Sequence, residues 1–216
     1  IYLALARIVP DPKGRNGFIE NPYTNWKEVH ASLPDIKIEV MGPPPPSGTR
    51  DAFDELAMQG GCKTFPWVKA LKKSDKKKFK TVCEALREDG AYIEAGENDN
   101  LIIQKLEANP NALGIFGFSY LDQNADKIQG AIVDGVAPDF DKISDGSYSI
   151  SRSLYMYVKK SHAEVVPGLK EFLAEFSSDR AWGDEGYLSE KGLIPMPEEE
   201  RKQVGKTVKE LIPLQL

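Results

Sequence analysis

The chain has 216 residues, of which 41% are hydrophobic and 28% are charged, and its net charge is −5. This composition is typical of a globular protein long enough for one large domain or two smaller ones. No stretch of the sequence is long and apolar enough to span a membrane. The negative charge argues against nucleic acid as the main partner but not against a small anion, because the field at one site can oppose the charge of the whole protein.

The first predicted elements lead to a short strand. Residues 1–8 have the pattern of a helix end, and residues 10–25 are rich in Pro, Gly and Asn, as loops are. Residues 36–41 alternate apolar and charged side chains, which predicts a half-buried strand. The sequence opens at Ile1 with neither an initiating Met nor a leader, so we expect an excerpt of a longer protein.

A turn that can hold an anion follows this strand. Residues 42–53 begin with a Pro-rich run and continue at helical spacing, so Ser47 and Thr49 bracket a predicted helix start. Such a start leaves backbone N–H groups without partners and carries partial positive charge. Gly48 permits close approach, both hydroxyls can donate, and Arg50 adds a cation suited to phosphate-like oxygens. The alternative is that these residues only cap the helix, because Ser and Thr are common N-caps in proteins that bind nothing.

The chain then alternates between helical and strand patterns. One predicted helix covers residues 51–59 and is ended by Gly60 and Gly61. Further helices are predicted at residues 75–87, 101–108 and 121–127, and a charged terminal helix lies within 195–216. The predicted strands cover residues 91–94, 113–118, 131–133 and 154–158. Short apolar strands separated by helices predict an α/β fold with a largely parallel or mixed sheet.

Cys62 and Cys83 are the only cysteines. A single pair fits one disulfide, which would indicate an oxidising compartment such as the bacterial periplasm. The alternative is two unpaired buried thiols. No histidine lies near enough in sequence to complete a metal site with either cysteine.

A second turn that could face an anion precedes the predicted helix at residues 101–108. It consists of Gly96, Glu97, Asn98, Asp99 and Asn100. The two Asn side chains could cap the helix or donate amide hydrogens to a ligand, and Asp99 could accept the proton of hydrogen phosphate. Capping is the ordinary role of Asn and Asp at such positions, and the sequence favours it.

Other conspicuous residues indicate no chemistry. A basic cluster is predicted to be a solvated helix face rather than a nucleic-acid patch, because aromatic residues are not interleaved with it; it comprises Lys72, Lys73, Lys76, Lys77, Lys78 and Lys80. His30 and His162 lie in no pattern suited to a metal or to a Ser, His, Asp arrangement. We therefore expect no catalysis and no cofactor.

Taken in order, these motifs resemble the periplasmic phosphate-binding proteins of the phosphate ABC transporter. The resemblance rests on the strand ending at Met41, the Ser47, Gly48, Thr49, Arg50 and Phe53 turn, Asn98 and Asp99, and residues 111–117. Residues 148–155 resemble the return strand between the lobes of these proteins, and residues 168–176 resemble the amphipathic helix that follows it, so the resemblance implies a helix at 168–176. It covers nearly the whole chain. Chance agreement over so many ordered segments is improbable.

The resemblance implies a two-lobed, type II periplasmic-binding-protein-like fold with mixed sheets flanked by helices. Residues 37–147 would form the second lobe, and residues 1–36 with 148–216 would form part of the first. It further implies a periplasmic monomer that binds inorganic phosphate in the cleft and delivers it to a membrane permease. The alternative is a sensor of phosphate or another oxyanion, or an enzyme that reuses the fold.

Two departures from the family pattern bear on the site. Many members have an arginine four residues before the Ser of the triplet, where this chain has Pro43. Arg50 is the substitute that we predict, unless it pairs with Asp54 four residues on. The family's Gly and Ser/Thr-rich phosphate loop of the first lobe lies outside this sequence. Asp51 and Asp99 are candidates for the acid that accepts the phosphate proton, although the resemblance suggests that this acid also lies in the first lobe.

Overall fold

The computed structural model describes residues 1–14, 17–96 and 98–214. They form two compact units, Ile1–Gln129 and Gly130–Leu216. Among the described residues, no helix is both long and apolar enough to cross a membrane.

Among the described residues, the first unit contains both sheets and both hydrophobic core clusters. Its helices are α1 (Tyr2–Leu5), α2 (Trp26–Val29), α3 (Gly48–Phe53), α4 (Gln59–Cys62), α5 (Pro66–Ser74), α6 (Lys76–Glu84), α7 (Asp99–Ala108) and α8 (Phe118–Gln123), with a π-helical segment at Asp54–Met58. Its strands are β1 (Ile8–Pro10), β2 (Phe18–Glu20), β3 (Val40–Gly42), β4 (Tyr92–Glu94) and β5 (Leu113–Gly114).

The three-stranded sheet is parallel, with β3 between β4 and β5. Successive side chains of a strand point to opposite faces, and here both faces are covered. Val40 and Tyr92 belong to the larger core together with α4 and α6, whereas Met41 packs with Ile102 of α7. The predicted strands at residues 36–41, 91–94 and 113–118 are confirmed, each shorter than expected.

Glycines do not end the helix that follows β3, which corrects one prediction. The helical path runs without a break from α3 through the π-helical segment to α4, and so includes Gly60 and Gly61. A Cβ at Gly61 would lie 2.7 Å from the Cβ of Tyr2. Gly61 is therefore a point of close approach between α4 and α1 rather than a helix stop. Helix α5 was not predicted, and α6 ends at Glu84, earlier than residue 87.

The first 36 residues pack with the parallel sheet in one unit. Arg7 donates its backbone N–H to Ala85, and Arg87 donates its own to Leu5. The buried Arg87 side chain also donates to the carbonyls of Ala4 and Tyr23. These contacts fall within the unit Ile1–Gln129, and the second unit begins at Gly130. Which lobe of a two-lobed protein each segment belongs to stays a prediction.

The second unit is helical in its described part. Its helices are α9 (Phe140–Ser144), α10 (Lys160–Ala163), α11 (Leu169–Phe176), α12 (Asp179–Trp182) and α13 (Glu198–Lys209), with a 3₁₀ turn at Ser189–Lys191. The predicted helices at residues 168–176 and near the end of the chain are confirmed. The predicted strands at residues 131–133 and 154–158 are wrong, because neither finds a strand to pair with among the described residues. Val133 makes only an isolated bridge to Val136.

The predicted disulfide is confirmed. Cys62 at the end of α4 is bonded to Cys83 in α6, and both cysteines are fully buried in the larger core. The bond closes a loop with a sequence separation of 21 residues. That loop contains all of α5 and most of α6. The disulfide therefore fixes this helical pair to α4, the last segment of the helical path that follows β3.

We predict that the double variant Cys62→Ser, Cys83→Ser loses about 3 kcal/mol of free energy of unfolding, because a loop of this length is no longer closed in the unfolded chain. Urea denaturation measures the loss. Dithiothreitol should destabilise the wild type by a similar amount and leave the double variant unchanged. Equal urea midpoints for the oxidised wild type and the variant would contradict the prediction.

Candidate functional site

The candidate site lies at one edge of the parallel sheet. Because β3, β4 and β5 run in the same direction and in register, the loops after Gly42, Glu94 and Gly114 leave from the same edge. Ligands of α/β proteins commonly bind outside the carboxyl ends of parallel strands. The two turns that the sequence singles out are two of these loops.

The first turn begins α3 as predicted. Ser47 is its N-cap, and the Ser47 hydroxyl oxygen accepts the N–H of Thr49 at 3.2 Å. Gly48 is exposed, and a Cβ built on it would meet no heavy atom within 4 Å. The Thr49 hydroxyl makes no hydrogen bond to another described residue. The turn thus combines open space above Gly48 with a helix N-terminus and two hydroxyls, which is a suitable environment for a small oxyanion.

The second turn caps α7. The Asn98 side chain accepts the N–H of Asn100 at 3.1 Å, so the capping role that the sequence favoured is confirmed for Asn98. Glu97 lies outside the described residues. Burial raises the pKa of Asp99 above its usual range, and a hydrogen bond from the Gly117 backbone partly opposes this rise. Asp99 thus connects the turn after β4 to the turn after β5. Ligand contact by Asn98, Asp99 or Asn100 stays a prediction.

Arg50 is buried and already paired, as the alternative interpretation held. Its side chain Nε donates to both carboxylate oxygens of Asp54 at 3.1 Å. Its Nη1 lies 3.4 Å from the Pro43 carbonyl oxygen and 4.0 Å from Glu94 Oε1. Nη2 has no hydrogen-bond partner in the described part of the chain. Burial raises the pKa of Asp54, and the charge of Arg50 opposes that rise. The guanidinium therefore has a structural role, and its contact with a ligand stays a prediction.

Tyr92 is a site residue that the sequence did not reveal. Its hydroxyl donates to the Pro43 carbonyl at 2.8 Å, and the Arg50 guanidinium lies 5.2 Å from the centre of its ring. Burial raises its pKa to about 12. We call Tyr92, Pro43, Arg50 and Asp54 the brace. It joins the end of β3, the first helix after it and β4, so it fixes the loop that leads to Ser47. Tyr92 reaches this position because β3 pairs with β4 in the observed register, and that register cannot be deduced from the spacing of residues in the sequence.

Other parts of the first unit offer a less suitable site. A cavity of about 270 Å³ is lined by Ile36, Lys37, Glu39, Asn109 and Asn111, near the start of β3, and contains none of the predicted site residues. Within residues 1–14, 17–96 and 98–214, no group of three or more His, Cys, Asp or Glu side chains could hold a metal ion.

Comparison with known proteins assigns the family. A model described as a PBP superfamily domain matches residues 3–180. The chain belongs to this superfamily. The resemblance found in the motifs is thereby confirmed, and so is the α/β fold class.

Members of the PBP superfamily with similar sequences include named phosphate-binding proteins. The phosphate-binding protein PstS of Staphylococcus haemolyticus is 28% identical over 189 residues, which cover 85% of this chain and 50% of that protein. Protein SphX of Synechococcus elongatus is 27% identical over 185 residues, covering 82% of this chain and 45% of that protein. The chain therefore spans about half the length of these relatives.

Two solved structures share the PBP fold. A possible phosphate-binding protein from Planctomyces limnophilus superposes with a TM-score of 0.58 at 24% identity, covering 89% of this chain and 60% of that one. PstS from Borrelia burgdorferi superposes with a TM-score of 0.50 at 20% identity, covering 81% of this chain and 58% of that one. At these identities the likeness supports the fold alone.

The brace predicts the effect of Tyr92→Phe. Loss of the hydroxyl leaves the buried Pro43 carbonyl with only its longer contact to Arg50, so we expect a loss of about 1 kcal/mol in urea denaturation at neutral pH. In the wild type the Tyr92 pKa is about 12, against 10.0 for an ordinary tyrosine. Between these values the native state keeps a proton that the unfolded chain has lost, so the stability of the wild type falls as pH rises.

This alkaline fall should be smaller in Tyr92→Phe than in the wild type. Tyr155→Phe is the matched control, because Tyr155 is exposed and belongs to the other unit. Unfolding curves at pH 9 and pH 11 for the three proteins make the comparison. Equal behaviour of the two variants would show that Tyr92 does not support the loop.

Proposed function

We propose that the protein containing this chain captures inorganic phosphate outside the cytoplasm and delivers it to the membrane permease of a phosphate ABC transporter. It acts as a monomer and binds its ligand without transforming it. The names of the PstS relatives, which are phosphate-binding proteins, support a binding protein with phosphate as its ligand. The Cys62–Cys83 disulfide supports an oxidising compartment such as the periplasm.

The observation that carries this proposal is the helix start at Ser47, Gly48 and Thr49. Two hydroxyls flank Gly48 at the N-terminus of α3, and the space at the Gly48 Cβ position is open, at the carboxyl edge of the sheet. Phosphate oxygens accept hydrogen bonds from such donors, and the helix dipole favours their negative charge. The brace holds this loop in place before any ligand arrives, which reduces the entropy lost on binding.

One turn is not sufficient for tight binding. A micromolar dissociation constant corresponds to about −8 kcal/mol, and a charge-assisted hydrogen bond contributes about 1.5 to 3 kcal/mol net. The donors of α3 therefore supply part of the affinity after the costs of association. In this proposal the rest comes from the part of the family fold that the chain does not span, and phosphate draws the two sides together by hinge closure.

The structure suggests a modified role for Arg50. Its charge is partly neutralised by Asp54, so a ligand at the turn would experience a weakened positive field from this guanidinium. We propose that Arg50 contributes to phosphate binding mainly by holding the Pro43 loop and secondarily by its remaining positive field. In this proposal, an arginine at the Pro43 position would contact the phosphate directly, as the family resemblance implies.

The first test changes the turn without disturbing the fold. Gly48→Ala places a methyl group in the open space, and Thr49→Val removes a hydroxyl that bonds to no described residue. Each should weaken phosphate binding by the full-length protein about 10- to 100-fold, the equivalent of one charge-assisted hydrogen bond. Neither should lower the urea midpoint. Titration calorimetry with phosphate measures the affinity.

Gly60→Ala and Thr81→Val are the matched controls. Gly60 also lies in the helical path after β3 with open space at its Cβ position, and the Thr81 hydroxyl bonds only within α6. Both controls should bind phosphate like the wild type. Absence of heat when phosphate is added to the wild-type full-length protein would refute the proposed function itself.

A second test addresses selectivity against sulfate. A carboxylate can accept a hydrogen bond from protonated phosphate, and it repels fully ionised sulfate. Asp99 is the better candidate, because it is partly buried, which raises its pKa, whereas Asp51 is exposed. In Asp99→Asn, sulfate should compete with phosphate about ten-fold better than in the wild type.

Asp51→Asn is the control for this test and should leave competition unchanged. Competition calorimetry in sulfate compares the three proteins. If neither variant admits sulfate, the selecting acid lies outside this chain, as the family resemblance suggests. Displacement of phosphate from the wild type by an equal concentration of sulfate would exclude phosphate selectivity altogether.

A further inference from the structure

The loop closed by the disulfide carries an unusual charge. Between Cys62 and Cys83 the chain has eight lysines against one aspartate, with no arginine or glutamate, a net +7 in a protein of net charge −5. We call these eight lysines the lysine face. They are Lys63, Lys69, Lys72, Lys73, Lys76, Lys77, Lys78 and Lys80. Positive charge is therefore concentrated in one helical pair of an acidic protein.

The fold presents these charges to solvent on a rigid support. Helices α5 and α6 bury Val68, Phe79 and Val82 in the larger core. All the lysines of the face are exposed except Lys63, which is partly buried. The disulfide anchors α6 to the end of α4, and Asp75 joins α5 to α6 as the C-cap of one and the N-cap of the other. The two helices that carry the lysine face are therefore held in position by the core and the disulfide, without a binding partner.

Acidic neighbours do not neutralise the lysine face. Among the described residues, none of its members has a carboxylate within ion-pair distance. The Asp75 carboxylate is used for capping, since it accepts the Lys78 N–H at 2.9 Å. Burial and the positive charges of Lys72 and Lys69 lower the pKa of Lys63, and the nearby carboxylates of Glu55 and Glu84 oppose this fall only in part. Uncompensated positive charge of this density attracts a polyanion.

Aromatic rings border the face on one side. Phe18 and Trp67 have ring centres 4.8 Å apart, and the ammonium of Lys78 lies 5.9 Å from the centre of the Phe18 ring. Both rings are only partly buried, and they line a cavity of about 430 Å³ together with Lys78 and Thr81. Aromatic side chains next to lysines suit the boundary between water and lipid headgroups.

We propose that the lysine face binds the surface of a bilayer containing anionic phospholipid. A lysine-only surface distinguishes this partner from others. Protein interfaces are depleted in lysine and enriched in arginine, which argues against a protein partner, and the net charge of −5 argues against nucleic acid. Adsorption to an anionic membrane needs only a high density of positive charge, which lysine supplies as a compact point charge. The binding does not depend on phosphate capture.

The first measurement is co-sedimentation of the full-length protein with vesicles of phosphatidylglycerol and phosphatidylcholine in equal amounts. The protein should sediment with these vesicles and not with phosphatidylcholine alone. Each lysine near the surface strengthens partitioning about five-fold, so Lys72→Gln, Lys76→Gln, Lys80→Gln together should weaken it about 100-fold. Raising the salt to about 1 M should release the wild type, because the Debye length falls to about 3 Å.

The matched control removes the same charge elsewhere. Lys105, Lys191 and Lys209 are exposed lysines outside the face, and the triple variant Lys105→Gln, Lys191→Gln, Lys209→Gln has the same net charge as the first. It should sediment like the wild type. An equal loss in both triple variants would overturn the proposal, because binding would then depend on net charge rather than on this surface.

Two further readouts make the result unambiguous. Urea denaturation of both triple variants should match the wild type, since the substituted lysines are exposed. Phosphate calorimetry should also be unchanged, since none of these lysines belongs to the Ser47 turn.

Retention on heparin or duplex DNA without sedimentation with anionic vesicles would assign the face to another polyanion and reject the membrane. Failure of phosphate binding alone would leave the vesicle result intact and would count against the proposed function only.

Discussion

The parallel pairing of β3 with β4 and β5 is the constraint on which the rest of the structure depends. It directs three loops to one edge and gives each face of the sheet its own apolar cover, with Val40 and Tyr92 on one side and Met41 on the other. Without this register, the Tyr92 hydroxyl would not reach the Pro43 carbonyl, and the loop that leads to Ser47 would lose that support. A parallel sheet buried on both faces tolerates little slippage, because a shift of one residue would expose one apolar set.

The brace shows how a buried cation can support a binding loop. A lone guanidinium in this environment would be costly. The Nε–H shared between the two Asp54 oxygens, together with the Tyr92 ring, offsets that cost. The same contacts use the charge that a ligand would otherwise meet. The resemblance implies an arginine at the position of Pro43. In this chain Arg50 instead contacts the Pro43 carbonyl through Nη1.

Charge is distributed by local structure rather than by the average composition. The protein is acidic overall, yet the disulfide-closed pair α5 and α6 is strongly basic, and the helix start at Ser47 offers positive potential without any cationic side chain in front of it. A helix N-terminus suits a small anion, whereas an array of lysines suits an extended anionic surface. A helix terminus gives short, directed hydrogen bonds, whereas a lysine array gives a long-range field that salt weakens.

The sequence by itself determined the features that depend on neighbouring residues. Ser47 and Asn98 cap their helices through residues two positions away, α11 follows its own apolar spacing, and two cysteines permit only one bridge. Tertiary structure decided whatever needs a distant partner. Residues 154–158 have a strand pattern but no strand beside them among the described residues, and Gly61 allows α4 to approach α1 instead of ending a helix. Arg50 of α3 contacts Tyr92 of β4, 42 positions further along the chain. The reason is physical: caps and turns are satisfied within a few residues, whereas strands, close approaches and buried charges are stabilised by groups far along the chain.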